Sequence, residues 1–373
     1  MRTSVAIASA AVVSALVGAS SPARADSMDP AIERLVGTRK TDGTVDFSTS
    51  CTTTGAYNGS VCAPNNAAFA KLINQLGVVI APTAMHSART TGFGSFHLTL
   101  EGAYTGIDSD ASYWKEGTRG PQDPGNKKYS IRNDSPASLM QLYSLKIRKG
   151  FPFGLEVAAQ VGTLSQTSII VGGADVRMAI LEGFRKGALG ILPDLAVGGG
   201  VRTITGTPQF NLTVASFDVQ LSKNFPIAES HILAPYLGFQ QLWIFGDSGL
   251  IDATPNTDPL GACNYSGINT PGNPDPAKSY YDGQPNCSGR SSDQASGAGG
   301  SARDFNNTFI FSKVRVQRQR FIVGASYRFE YVFLGGQFSS DLVSPEDAGG
   351  TNNSLLKGEK KQSAFAFELG AFF

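Results

Sequence analysis

The stretch SAFAFELGAFF, Ser363 to Phe373, closes the chain and alternates with a period of two. Phe365, Phe367, Leu369, Ala371 and Phe373 fall on one face, and Ala364, Ala366, Glu368, Gly370 and Phe372 on the other. Successive side chains of a strand point to opposite sides, so this segment carries a continuous apolar face opposite a small or polar one. That division fits a barrel wall standing between lipid and a polar lumen.

The same alternation recurs upstream. Candidate strands run over Gly92–Gly106, Ser138–Arg148, Phe153–Thr163, Ile170–Glu182, Asp194–Thr205, Phe210–Ser222, Ile232–Phe245, Thr308–Arg328 and Val332–Leu342. With Gln362–Phe373 they make an antiparallel all-β transmembrane barrel of about ten strands, eight to twelve being the range. The connections at one end, around Phe151, Lys186, Pro226 and Glu330, are short. At the other end 107–137, 246–307 and 343–361 are long, and two near Ser165 and Gly206 are short. Short periplasmic turns and long extracellular loops are the expected division. One strand breaks phase: Val314 and Val316 do not share a face with Phe321 and Val323, which predicts either a bulge near Gln319 or an upper half projecting beyond the lipid.

Ending on Phe373, with Ala371, Leu369, Phe367 and Phe365 behind it, resembles the C-terminal signature of Gram-negative outer-membrane β-barrel proteins. The resemblance implies that this strand is the signal read by the barrel-assembly machinery, and that outer-membrane lipid and lipopolysaccharide surround a monomer. Omptin-type proteases and outer-membrane phospholipases share that architecture, but their His-containing site motifs are absent, so no catalytic residue is assigned.

Residues 1–25 have the layout of a cleaved secretory signal: Arg2, an apolar run from Val5 to Ala19, and Ala23-Arg24-Ala25 ahead of Asp26. Beyond it no apolar run is long enough for a transmembrane helix. The 31 basic and 30 acidic residues nearly cancel, which argues against a nucleic-acid binder. In an exported chain Cys51 with Cys62, and Cys263 with Cys287, read as two local disulfides.

Residues 26–90 form a separate N-terminal segment ahead of a barrel domain over 91–373. Asp29-Pro30 begins a short helical pattern to Val36. Asn66 leads into a second helix, Ala67 to Leu76, whose Phe69, Leu72, Ile73 and Leu76 share one face, with Gly77 as its stop and Pro82 ending the apolar continuation. That face needs cover, either as a plug in the lumen or against a periplasmic surface.

The residues expected to face the lumen are His97, Glu101, Glu156, Asp175, Arg177, Arg202, Asp218, Arg328, Glu330 and Glu368. Their mixed sign points to internal ion pairs. His97 and Glu101 sit about 13 Å apart on their strand, too far to pair directly. No metal or cofactor motif occurs. The pattern therefore predicts a non-enzymatic barrel: a narrow channel or transporter for a small or amphiphilic solute, or a surface adhesin or receptor displaying its loops. A hydrolase is the least favoured reading.

Overall fold

In a computed structural model the chain closes into a barrel of ten antiparallel strands. The structure describes residues 26–39, 44–46, 62–121, 129–130, 132–183, 192–228, 230–252 and 308–373, with the backbone of five short strands between 264 and 286. Residues 1–25, Cys51, Cys263 and Cys287 lie outside these, so the signal segment and the two disulfide pairings are not among the described features.

The barrel strands are β1 (Phe96–Gly106), β2 (Leu139–Gly150), β3 (Leu155–Leu164), β4 (Ile170–Leu181), β5 (Asp194–Thr205), β6 (Phe210–Ser222), β7 (His231–Ser248), β8 (Val314–Phe329), β9 (Val332–Asp341) and β10 (Ser363–Phe372). Each pairs with its neighbours in sequence, and β1 pairs with β10 to close the ring, Leu100 opposite Leu369. A short strand, Phe225–Ala228, adds to β7. Phe365, Phe367 and Leu369 point outward and are exposed, while Ala364, Ala366 and Glu368 are buried inside. The outward band continues through Leu100, Ile147, Val161, Val176, Val201, Phe217, Leu237 and Val323. Phe151, Phe153, Phe225, Phe329 and Tyr331 mark its short-turn edge.

The phase break in β8 is not a bulge; the outward residues of this half, Arg315, Gln317 and Gln319, are polar, in keeping with an upper half that projects beyond the lipid. Its pairing with β7 runs without a shift from Gly246–Val314 to His231–Phe329, and its pairing with β9 is equally regular, so there is no bulge at Gln319. Val314 and Val316 point inward, in phase with Arg318, Arg320 and Ile322, and all are buried. They are apolar because that half of the lumen is apolar. Met140, Leu142, Leu164, Val171, Ile204, Phe210, Leu212, Val214, Leu242 and Ile244 line it with them.

What they meet is the helix α1 (Asn66–Ile80), which lies inside the barrel. Asn65 caps it, its side-chain oxygen accepting from the Ala68 N–H at 3.0 Å. Phe69 stacks on Phe311 at 4.5 Å and meets Phe210 edge-on at 6.4 Å. Gly77 does not stop the helix. It lets the helix approach the wall, since a Cβ there would lie 2.5 Å from Ile244, and Gly246 makes the reciprocal allowance for Ile73 at 2.5 Å. The helix ends at Ile80 because Pro82 follows.

The segment ahead of α1 sits at the long-loop end. The helix expected from Asp29 to Val36 is only one 3₁₀ turn, Ile32–Arg34, and Val36–Arg39 pairs with Cys62–Pro64 as a strand. Asp29 is not a helix cap; its carboxylate accepts from the Ser168 N–H at 2.6 Å and hydroxyl at 2.9 Å. Met28 N–H donates to Gln166 O at 3.1 Å, and Ile32 N–H to Gln209 Oε1 at 3.0 Å. The two short connections at this rim are thus covered by the chain's own N-terminal segment. From there the chain descends through the lumen and leaves at the short-turn end to begin β1.

Filling the helix–wall contact should be costly. Gly77→Val should lower unfolding stability in detergent by about 1–3 kcal/mol, read by denaturant titration of the compact barrel form, whereas Ala67→Ser on the exposed helix surface should leave it unchanged.

Candidate functional site

Every second residue of the strands faces inward, and below α1 charged and polar residues stand among small ones such as Ala158, Ala196 and Ala234. Five ion pairs cross between wall strands: Lys146–Glu101 at 2.6 Å, Arg148–Glu368 at 2.9 Å, Arg202–Asp175 at 2.7 Å, Arg177–Asp218 at 3.7 Å and Arg318–Asp341. Burial of a charge is tolerated when a partner and further hydrogen bonds satisfy it, and most of these groups have both, although Glu368 Oε1 and one nitrogen each of Arg148, Arg202 and Arg318 lack a partner among the described residues. Arg202 also donates to Gln160 at 2.6 Å, and Gln160 to Ser144 at 2.7 Å.

The tail below the helix, Ala81 to Thr91, runs through this half without helix or strand, turning at Ala84 (φ 51°), and the wall binds its backbone almost residue by residue. Pro82 O accepts from Gln240 at 2.8 Å, Thr83 O from Gln337, and Ala84 O from Gln220 and from Arg177 at 3.3 Å. Met85 O accepts from Arg148 at 2.6 Å and Ser87 O from Arg177 at 3.1 Å. Farther down, Ala88 N–H donates to Ser222 at 2.9 Å, Thr90 N–H to Glu182 at 3.0 Å and Thr91 N–H to Glu156 at 3.0 Å. A polar wall was needed because an irregular chain in a lumen has neither helix nor strand partners for its carbonyls and N–H groups.

At the opposite end Gln75 of α1 ties the plug to two loops. Its side-chain oxygen accepts from Trp114 Nε1 at 2.8 Å and from the Asp108 N–H at 3.0 Å. Its nitrogen donates to the hydroxyl of Tyr113 at 2.7 Å and to Glu359 at 2.8 Å. Tyr113 and Trp114 belong to α2 (Ser112–Gly117) in the first long connection, and Glu359 to the last. Burial, reinforced by the Glu359 carboxylate, holds the Tyr113 phenol well above its ordinary range, so it remains a donor.

Of the residues expected to face the lumen, His97, Glu101, Glu156, Arg177, Arg202, Asp218 and Glu368 are buried inside, and Asp175 joins them through Arg202. Arg328 is inward in phase but lies at the short-turn mouth, exposed to solvent. Glu330 is not on the wall: it forms the two-residue turn between Phe329 and Val332 with φ 47°, where the chain reverses and its side chain leaves the alternation. Sequence reasoning missed Lys146, Arg148, Arg318, Arg320 and Asp341. The alternation Ser144, Lys146, Arg148 against Leu145, Ile147 was available as a signal; for Arg318 and Arg320 the signal was hidden by the inward valines before them.

The three histidines have different surroundings, and His86 Nε2 lies 4.0 Å from the Glu156 carboxylate. His97 has no hydrogen bond, His86 Nδ1 meets the Ser87 carbonyl at 2.6 Å, and His231 Nδ1 meets the Tyr327 hydroxyl. Among the described residues no group of His, Cys, Asp and Glu converges on a point that could hold a metal ion.

No family model matches the chain, and no curated protein does. Several solved structures are similar at low identity. Ail, the attachment invasion locus protein of Yersinia pestis, is 8% identical over 76% of this chain and 100% of its own, with a TM-score of 0.23. The translocator domain of the autotransporter NalP from Neisseria meningitidis is 11% identical over 85% and 99%, with a TM-score of 0.31. The KdgM porin, in complex with disordered oligogalacturonate, is 6% identical over 74% and 98%, with a TM-score of 0.23. At such low superposition the architecture stands on the strand ladder itself: a closed ten-stranded antiparallel barrel of the kind found in small outer-membrane proteins.

The interior pairs yield a direct test. Glu101→Gln leaves Lys146 charged and buried without its counter-ion, and should cost about 3–5 kcal/mol in denaturant unfolding followed by fluorescence of Trp114 and Trp243. A change no larger than that of a surface substitution would show that Lys146 reaches water.

Proposed function

We propose that the protein is an outer-membrane barrel sealed by its own N-terminal segment, a scaffold that acts at the cell surface through the loop end this segment completes. The outward apolar band is far larger than a soluble monomer exposes, and outer-membrane lipid is its cover. Long connections and the described residues ahead of α1, such as Asp29 and Ile32, then lie on the extracellular side, facing lipopolysaccharide, and Phe373 and the short turns lie in the periplasm. The barrel has no unpaired edge, so a single chain suffices. The terminal strand, with Phe365, Phe367, Leu369, Ala371 and Phe373 turned outward, is the segment the assembly machinery would read.

The seat of α1 carries the reading. Phe69, Leu72, Ile73, Leu76, Val78, Val79 and Ile80 are all buried in the apolar half-lumen. At roughly 1.5–3 kcal/mol for each such side chain, exposing that face would cost on the order of 10 kcal/mol or more. A helix held that firmly is core rather than gate, which favours the adhesin or receptor class over a conducting channel. The reading assigns no catalytic step.

Two measurements test it. In planar bilayers the refolded full chain should give no conductance steps, while a variant lacking residues 26–89 should give them. On intact cells an epitope placed directly ahead of Asp26 should bind antibody without permeabilisation. Steady conductance from the full chain would overturn the sealed scaffold and restore a channel for a small or amphiphilic solute; an epitope reached only after permeabilisation would reverse the path of the segment.

A further inference from the structure

At the short-turn mouth, between the plug tail and the wall, lies a cavity of about 110 Å³. Its wall includes Thr91 of the tail, His97 of β1, Arg328 of β8, Glu368 of β10, and Asn224. The ion-pair network above does not satisfy these groups. Both ring nitrogens of His97 lack a hydrogen-bond partner although the residue is 1% exposed, and so do Glu368 Oε1, Thr91 Oγ1 and Asn224 Oδ1. Glu368 is 3% exposed and spends only its other oxygen on Arg148. Leaving a buried polar atom unmatched costs about 1–3 kcal/mol each, so several around one cavity mark a place built for something with polar groups of its own.

The arrangement has polarity. Arg328 lies at the mouth with its guanidinium 4.3 Å above the Phe372 ring. Its Nε donates to Glu330 O at 3.4 Å, and it makes no ion pair among the described residues. Its terminal nitrogens are thus available for a bidentate oxyanion. Deeper in, Glu368 pairs with Gly335, which is level with Ser326, two residues above Arg328 and so about 7 Å farther along the strand. Glu368 Oε1 and Asn224 Oδ1 offer acceptors there. His97, flanked by Phe372 and Phe333 at 3.6 and 5.2 Å between ring centroids, can give one hydrogen bond and take one, as can Thr91. A simple anion would meet Glu368, and a simple cation would meet Arg328 first.

We infer that this cavity binds a small dipolar molecule, one bearing an anionic oxygen group held by Arg328 and an ammonium directed at Glu368 and Asn224, with His97 and Thr91 lining its wall. That chemistry occurs both in free amino-acid-like solutes and in the headgroup of a zwitterionic phospholipid. The inference does not depend on whether the barrel conducts.

The test uses the full chain in detergent micelles with ¹⁵N-labelled histidine, whose three histidines are His86, His97 and His231. Millimolar phosphoethanolamine or glycine should move the His97 resonances saturably and leave His231, occupied by Tyr327, in place. Acetate or methylamine alone should not reproduce the shift. Arg328→Gln, at an exposed position that should not disturb folding, should weaken binding at least about tenfold, equivalent to about 1.4 kcal/mol; Thr91→Val provides a second, independent reduction. Saturation by glycine assigns a free solute. Saturation only when phosphatidylethanolamine is added to the micelle assigns a lipid headgroup. No saturable shift with any of these probes, an equal shift with acetate alone, or unchanged binding in Arg328→Gln would overturn the site and leave a cavity filled by water.

Discussion

A closed ladder sends every second side chain of ten strands into one narrow interior, and that interior has to be filled. In this protein the wall cannot fill it alone. The long-loop half is lined by Leu142, Leu212, Ile244, Val314 and their neighbours, which leave an apolar seat the width of a helix. The short-turn half is lined by ion pairs and amides that leave a polar path for an irregular chain. One continuous segment answers both demands: α1 sits in the first and Ala81 to Thr91 in the second. Its direction follows from the same division, because the apolar helix precedes the polar tail in sequence and the tail must end where β1 begins.

The barrel was legible in the sequence because lipid-facing strands obey a strict rule. Along β3 and β10 the outward residues are largely apolar and the inward ones, Leu164 and Phe372 apart, small or polar, so the faces could be read directly, and β5 and β6 fall on the expected boundaries. Reading failed where the lumen departs from being polar. Val314 and Val316 look like lipid-facing residues and are core, since an internal helix stands in for lipid on the inside. Gly77 looks like a helix stop because local propensity cannot see Ile244 across the interface. Asp29 looks like a cap because its partner, Ser168, is remote in sequence. Each failure marks a contact between the N-terminal segment and the wall.

The wall grips the tail chiefly through main-chain carbonyls, so the seal does not depend strongly on which side chains the tail carries. Gln240, Gln337, Gln220, Arg177 and Arg148 all donate to the tail's carbonyls, while among its side chains Thr83 and Thr90 donate to Glu101 and Glu182. The helix differs: its fit against Ile244 and Gly246 is steric, and Gln75 is satisfied only in this register, by Trp114, Tyr113 and Glu359. Specificity of seating therefore resides in α1, and the tail supplies closure.

The central claim is that α1 occupies the lumen in this register, and proximity chemistry tests it most directly. In a chain whose Cys51, Cys62, Cys263 and Cys287 are replaced by Ser, the pair Gly77→Cys and Ile244→Cys should cross-link on mild oxidation of the assembled protein. The pair Gly77→Cys and Phe153→Cys, with Phe153 at the exposed short-turn rim, should not. The reverse pattern, or equal cross-linking to both positions, would place the helix outside its seat and contradict a barrel sealed by its own N-terminal segment.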